Sequence, residues 1–160
     1  MRLAPLALLP LLIACGEPAA TVSGAAGGVT FGETDHAYFG GPYLVISPDE
    51  LDCLDLAWVQ RSYEDGIAPT EGDARLIQFA FATDTVTEGR VGIGIAAAAS
   101  ATVVNVTGGT ATFTRAEGGF LDIDAVETET EVTGSFEGLA FEDGTLSGSF
   151  TATWCRNLRN

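Results

Sequence analysis

The chain contains no lysine. Its seven basic residues are all arginine and face 22 acidic ones, for a formal charge of −15 over 160 residues. The missing lysine removes Schiff-base chemistry and the phosphate-gripping lysine of a P-loop. The shortage of positive charge argues against nucleic acid as a partner, because a phosphate backbone needs a basic footprint. It argues equally against holding an anionic lipid surface by charge. One histidine, His36, and three cysteines leave few nitrogen and sulfur ligands for a zinc or copper site. The one long apolar stretch falls short of the roughly 20 residues that a membrane-spanning helix needs. Against these shortages stand 46% apolar residues and 20 glycines, many beside β-branched side chains. A disordered chain of this charge would be far poorer in core formers. Length and composition together predict one folded, turn-rich domain.

The opening residues are organised differently from the rest. Met1-Arg2 is a minimal positive start, and Leu3 to Ala14 follows as an apolar run broken only by Pro5 and Pro10. That fits the apolar core of an export signal. The run ends Leu12-Ile13-Ala14-Cys15: an aliphatic residue, then a small residue directly before a cysteine. This segment resembles the lipobox of bacterial lipoproteins, and the resemblance covers residues 1–15 only. It implies cleavage between Ala14 and Cys15, a diacylglycerol on the Cys15 sulfur and an acylated new amino terminus. Two or more acyl chains hold a membrane stably where one does so only marginally. In that family an aspartate after the lipidated cysteine retains the protein at the inner membrane. Here the position is Gly16, which points to the outer membrane, facing the periplasm or the exterior. The lipid bilayer, reached through acylated Cys15, is then the one partner the sequence names; a protein or small-molecule partner stays open. The mature chain would carry six arginines against 22 carboxylates, a charge of −16.

The expected organisation is a signal peptide at 1–14, a lipid-anchored flexible tether at 15–30 and a single β-rich domain at 31–160. Residues 16–30 (GEPAATVSGAAGGVT) are small and aperiodic, the composition of a linker with a reach of roughly 20 Å. Within it Val29 and Thr30, with Phe31, could also pair as a first edge strand. Cys53 and Cys155 remain, 102 positions apart. In an oxidising compartment such a pair is expected to form a disulfide. Closing a loop of that length stabilises by about 4.7 kcal/mol in the chain-entropy account. A metal or redox pair would need closer spacing or a neighbouring histidine.

Within the domain, Ala37 to Phe39 and Tyr43 to Ile46 are two apolar clusters separated by Gly40-Gly41-Pro42. Ser47, Pro48 and Glu50 carry the signals of a helix start, and Leu51, Leu54 and Trp58 follow at helical spacing, predicting one short helix over 48–60. Residues 64–74 read as a polar loop. From Arg75 the period becomes two, with Ile77, Phe79 and Phe81 on one face and Leu76, Gln78, Ala80 and Ala82 on the other. Strands are expected over 85–95, 101–106, 110–114, 119–126, 131–141 and 145–154, joined by short glycine-rich turns. In the last hairpin Phe136, Gly138 and Ala140 should share a face, opposite Leu146, Gly148, Phe150, Ala152 and Trp154. The similar segments 134–138 and 148–152 read as paired strands rather than a repeat. The predicted fold is mostly β: an antiparallel meander of seven to nine strands forming a sandwich or partly closed barrel, with the one helix pinned at an edge or open end.

Few residues point to chemistry. Gly92 to Ala97 matches G-x-G-x-x-A, but a dinucleotide site needs a helix after the strand, and here strands are expected on both sides. His36 beside Asp35 lacks a nucleophile elbow and reads as a loop histidine. The carboxylates gather in three places: Asp49 to Asp55 around the predicted helix, Glu64 to Asp73 in the following loop, and Asp122 to Glu131, where Glu127, Glu129 and Glu131 would form an acidic stripe. Such clusters can supply calcium with oxygens, and paired carboxylates could serve a hydrolase, yet no pair stands apart from a solvated acidic surface. The reading is a non-catalytic envelope or binding module, with no catalytic, cofactor-binding or metal residue assigned. A small-ligand or calcium-binding β domain is the alternative, and a carboxylate-dependent hydrolase comes after it. A cavity lined by Phe79, Phe81, Phe136 and Phe150 would favour a barrel that binds ligand; a filled interior would favour a structural role. The chain as a whole resembles small β-rich bacterial lipoproteins ending in a C-terminal cysteine.

Overall fold

The computed structural model describes residues 17–56 and 72–158. Among them the chain forms twelve strands: β1 (Ala20–Ala26), β2 (Val29–Thr30), β3 (Glu33–Thr34), β4 (His36–Gly40), β5 (Tyr43–Ser47), β6 (Ala74–Phe81), β7 (Gly89–Gly92), β8 (Ala99–Thr107), β9 (Thr110–Arg115), β10 (Gly118–Glu127), β11 (Glu131–Phe141) and β12 (Gly144–Trp154). A 3-10 turn, Arg156–Leu158, follows. All twelve belong to one curled, open sheet, a half-barrel; nine run in the order β7-β10-β11-β12-β4-β5-β6-β8-β9, and β1, β2 and β3 lie off this path. The fold is therefore mostly β, as the alternation and the glycine turns require.

The connectivity is not a simple meander. Two antiparallel runs, β4-β5-β6-β8-β9 and β10-β11-β12, meet where β12 pairs in parallel with β4 through Thr153↔Tyr38 and Trp154↔Phe39. The last strand thus lies near the middle of the sheet. β1 shares the same edge of β12, pairing Ala20↔Phe150 through Gly24↔Leu146, and carries β3 on its far side and β2 in a tight hairpin. Hairpin signals are local, and nothing in them dictates this long-range pairing.

The expected tether at 15–30 is therefore corrected from Ala20 onward. Its small residues are what lets β1 approach β12 closely: a Cβ on Gly24 would stand 2.1 Å from the Thr145 carbonyl oxygen, and one on Gly148 2.5 Å from that of Thr21. Ala20, Val22 and Ala26 alternate inward and are buried, so a composition typical of linkers here builds a strand. Cys15 and Gly16 lie outside the described residues.

Two cores result. The concave face encloses Leu44, Ile46, Ile77, Phe79, Leu121, Phe136 and their neighbours. The convex face of β5, β6 and β8 buries a second cluster: Val45, Leu76, Val104 and Val106 under Leu51, Leu56, Cys155 and Leu158. These central strands are covered on both sides, which explains their nearly continuous apolar runs. In β6 the predicted alternation holds, with Ile77, Phe79 and Phe81 in the inner core and Leu76 in the outer one.

The helix expected over 48–60 is reduced, within the described residues, to a single turn at 53–56; residues 57–60 lie outside them. Its cap is Asp52 rather than Ser47. The Asp52 Oδ1 accepts from the Leu54 and Asp55 amides (2.6 and 3.0 Å), and the Asp55 carboxylate accepts from the Asp52 amide at 3.0 Å, a reciprocal capping box. Ser47 instead ends β5, where its hydroxyl donates to the Arg75 carbonyl and accepts from the Asp49 amide. Leu51 and Leu56 are buried while Leu54 is exposed, so the apolar face differs from the one the spacing predicts. This segment covers the outer core, and a disulfide between Cys53 and Cys155, with Cα atoms 5.5 Å apart, fastens it there. Among the described residues no helix is long and apolar enough to cross a membrane.

In β11 and β12 the similar G-S-F triplets pair with each other, Gly134↔Phe150, Ser135↔Ser149 and Phe136↔Gly148. Each phenylalanine ring lies over the glycine of the opposite strand; a Cβ on either glycine would come 2.9 Å from the ring's Cζ. Past Phe136 a bulge shifts the register, and Gly138 absorbs it at φ +60°. The inward residues then become Leu139 and Phe141 instead of the expected Gly138 and Ala140.

Candidate functional site

Most of the residues that the sequence marks for chemistry turn out to hold the fold together. The carboxylates are the clearest case. Asp49 accepts from the Arg75 backbone amide at 2.8 Å and forms an ion pair with its guanidinium. The side-chain hydrogen bond from the guanidinium to Asp49, and next the Asp49 charge, raise the Arg75 pKa. Asp73 accepts from the Gly108 amide at 2.9 Å, tying the entry of β6 to the β8–β9 turn. Glu88 accepts from the Val126 amide at 3.3 Å, fastening the loop before β7 onto β10. Asp143, in the β11–β12 turn, accepts from both Gly27 (3.0 Å) and Gly28 (3.3 Å) in the β1–β2 turn. Both glycines have positive φ (59° and 73°), so their two amides converge on one anion. The Gly27 bond, more than the Gly28 one, holds the Asp143 carboxyl below its ordinary pKa. Glu64, Asp65 and Glu71 lie outside the described residues.

The acidic stripe does not form as expected. Glu127 and Glu131 pair across the end of the β10–β11 hairpin, and Glu129 sits in the turn with φ 55°. The three are bent around a turn instead of lining one strand. Among the described residues no three His, Cys, Asp or Glu side chains stand together as a metal-binding group.

His36 is the first residue of β4, pairing with Ser47, rather than a loop residue. Its amide donates to the Thr34 hydroxyl at 3.1 Å. The G-x-G-x-x-A segment leaves the end of β7 and returns as β8 after Ile93 bridges Ala99; no helix begins there, so it lacks the amide-rich helix terminus that a pyrophosphate needs. Tyr38 lies beside the capped turn, and partial burial, with the Asp52 and Asp55 charges adding to it, raises its pKa. Phe79, Phe81, Phe136 and Phe150 are all buried in the inner core, and the Phe79 and Phe136 rings meet at 5.4 Å. These four rings pack the interior; they do not line the cleft described next.

A cleft of about 590 Å³ opens at the end of the half-barrel where β4 turns into β5 and β12 ends. Phe39, Pro42, Val86 and Trp154 give it an apolar lining, while Asp84 and Glu129 bring carboxylates. Thr85 and Thr128 add hydroxyls. Among the described residues three connections assemble it: the Gly41-Pro42 turn, the loop 82–88 and the β10–β11 turn. Pairing of Phe39 with Trp154 across β4 and β12 brings the two rings into edge contact, with centroids 5.2 Å apart at 62°. Phe39 is buried and Trp154 only half-buried. Val86 anchors its loop in the inner core, and the Glu88 bond to β10 holds the loop's other end. Trp154 is the one cleft residue that periodicity marks, as an inward position of β12. Asp84 carries no sequence signal and Glu129 only that of the expected acidic stripe, because the cleft exists only once distant turns converge.

Comparison with known protein families, with curated proteins and with solved structures returned no match to this chain.

Proposed function

We propose that the chain is an exported lipoprotein, moored through acylated Cys15 to a bacterial envelope membrane, and that its β domain is a non-catalytic binding module. The cleft beside Trp154 is the observation that carries the binding role. Its volume falls within the range of roughly 300–1,000 Å³ common to small-molecule sites, and it combines apolar walls with a few polar groups. Several carboxylates elsewhere, among them Asp49, Asp73, Glu88 and Asp143, accept backbone amides and fasten turns, which speaks for a structural use of that acidity over a hydrolytic one. The mooring rests on Leu12-Ile13-Ala14-Cys15 after an uncharged apolar run. Gly16 after the cysteine points to the outer membrane.

Because β1 begins at Ala20, only residues 16–19 would separate the acylated sulfur from the folded body. Four extended residues span at most about 14 Å, so the domain would ride close to the bilayer. Metabolic labelling with palmitate tests the mooring. The wild-type chain is expected to take up label and fractionate with membranes, and Cys15→Ser to do neither. Label retained by Cys15→Ser would refute the anchor.

A further inference from the structure

The approach to β1 and the cleft lie toward the same end of β12. β1 runs antiparallel to β12, with Ala20 opposite Phe150. Just ahead of it the Ala19 carbonyl accepts from the Thr151 amide at 2.7 Å, and Glu17 and Pro18 share a surface depression with Ser149 and Thr151. Traced backwards, the chain therefore leaves the body toward the end of β12 that carries Trp154. Thr151 and Trp154 are three residues apart, about 10 Å along a strand. Cys15 stands two residues before Glu17, at most about 7 Å of chain. A sulfur acylated there would be held close to the cleft, and the cleft end of the half-barrel would face the bilayer.

Resting on that mooring and on the reading of the cleft as a binding site, we propose that the cleft takes one acyl chain of a membrane lipid from the adjoining bilayer. The cleft is layered as an amphiphile requires. Phe39 and Val86 are buried at its floor, with Pro42 and Trp154 half-buried beside them. Asp84, Thr85 and Thr128 are exposed at its rim. The edge contact of Trp154 with Phe39 makes a fixed aromatic wall, which costs little ordering on binding. Tryptophan also suits a place where one side is apolar and the other wet. A chain that passes from the bilayer interior to such walls exchanges one apolar surrounding for another. It avoids the penalty of exposing methylenes to water only where cleft and bilayer adjoin, so the position of the anchor decides the occupant. The net charge of −15 disfavours an anionic headgroup, which leaves a lipid of no net charge as the source of the chain.

The test uses the full acylated chain with Trp58→Phe, which leaves Trp154 as the one tryptophan. The protein is reconstituted into phosphatidylcholine vesicles whose acyl chains carry bromine, a contact quencher of indole emission. Flotation with the vesicles reads the mooring, and Trp154 emission reads the cleft. This parent protein is expected to float and to lose most of the emission it shows in unbrominated vesicles. Thr85→Phe and Thr128→Phe, which each place a ring in the cleft, are expected to float equally and to recover emission. Thr110→Phe, at the opposite end of β8, is the control and is expected to float and stay quenched. Melting temperatures like that of the parent would show that the variants fold. Floating protein whose emission bromine leaves unchanged would overturn the lipid assignment and leave the mooring standing. If hydrolysis of the Cys15 esters then opens Trp154 to acrylamide, the cleft belongs to the protein's own acyl chain instead. Filled-cleft variants quenched like the parent would show contact with the bilayer surface alone, and would overturn the assignment too. Protein that fails to float would overturn the mooring, and this inference with it.

Discussion

Asp143 shows how single acidic residues act here. It accepts two amides from the β1–β2 turn, and its pKa is depressed chiefly by the Gly27 one. A carboxyl that is more acidic in the folded state contributes stability above its unfolded pKa and loses it as pH falls through the folded value. The Asp143→Asn variant should accordingly melt below wild type at pH 7, and the gap should close below about pH 4. Thermal melts of both proteins across that range check it; a gap independent of pH would show that the charge is not the cause. The glycines in the β11–β12 pair are equally specific. Gly148→Ala would drive a Cβ to 2.5 Å from the Thr21 carbonyl oxygen. Overpacking of this kind costs about 1–3 kcal/mol, and a lowered denaturant midpoint would report it. Phe136→Ala, which empties a buried site in the inner core, should cost about 3–5 kcal/mol by the same measurement.

Elements differ in how openly the sequence declares them. β11 has the limits that its apolar and turn residues predict, and β12 starts one residue early. Both are long, alternating and bounded by glycine turns, so local pattern and tertiary demand agree. β1 was hidden, because the small residues required beside the glycines of β12 are also the residues of a linker. The short helix was only half legible. The Ser-Pro-x-Glu signal at Ser47 is real in its residues, but β5 and Arg75 claim the serine hydroxyl, and Asp52 takes over the cap. The register shift at Gly138 was invisible, since a bulge depends on what the partner strand requires. The 53–56 turn and the C-terminal 3-10 turn together cover the outer core, and the disulfide joins them. Replacing Cys53 and Cys155 by serine should cost about 2–5 kcal/mol in equilibrium unfolding. Hydrogen exchange should then show the amides of Leu56 and Leu158 losing protection before those of β11 and β12, as expected when a cover loosens ahead of the body it covers.

At the scale of the whole molecule the sequence announces the fold class, and carries the motif on which the proposed anchor rests, but not strand order or the cleft. Alternation and turns are local and survive reading one residue after another. The parallel contact of β12 with β4 joins residues more than a hundred positions apart, and no neighbouring residues encode it. The cleft follows from that contact, because it sets Trp154 beside Phe39. The acidity has a structural use: several carboxylates, among them Asp73, Glu88 and Asp143, fasten turns through backbone amides. A half-barrel with a packed interior, a stapled outer cover and a leash of a few residues would suit a domain working at a membrane surface.

The account depends most on Cys15 being the true, acylated start of the working protein. Intact-mass measurement of the chain purified from native membranes, before and after hydrolysis of ester-linked lipid, tests this directly. The predicted result is a polypeptide beginning at Cys15, heavier than its sequence by a lipid-modified terminus, and lightened by hydrolysis. A protein that begins at Met1, or one whose mass matches the bare sequence from Cys15, would contradict it.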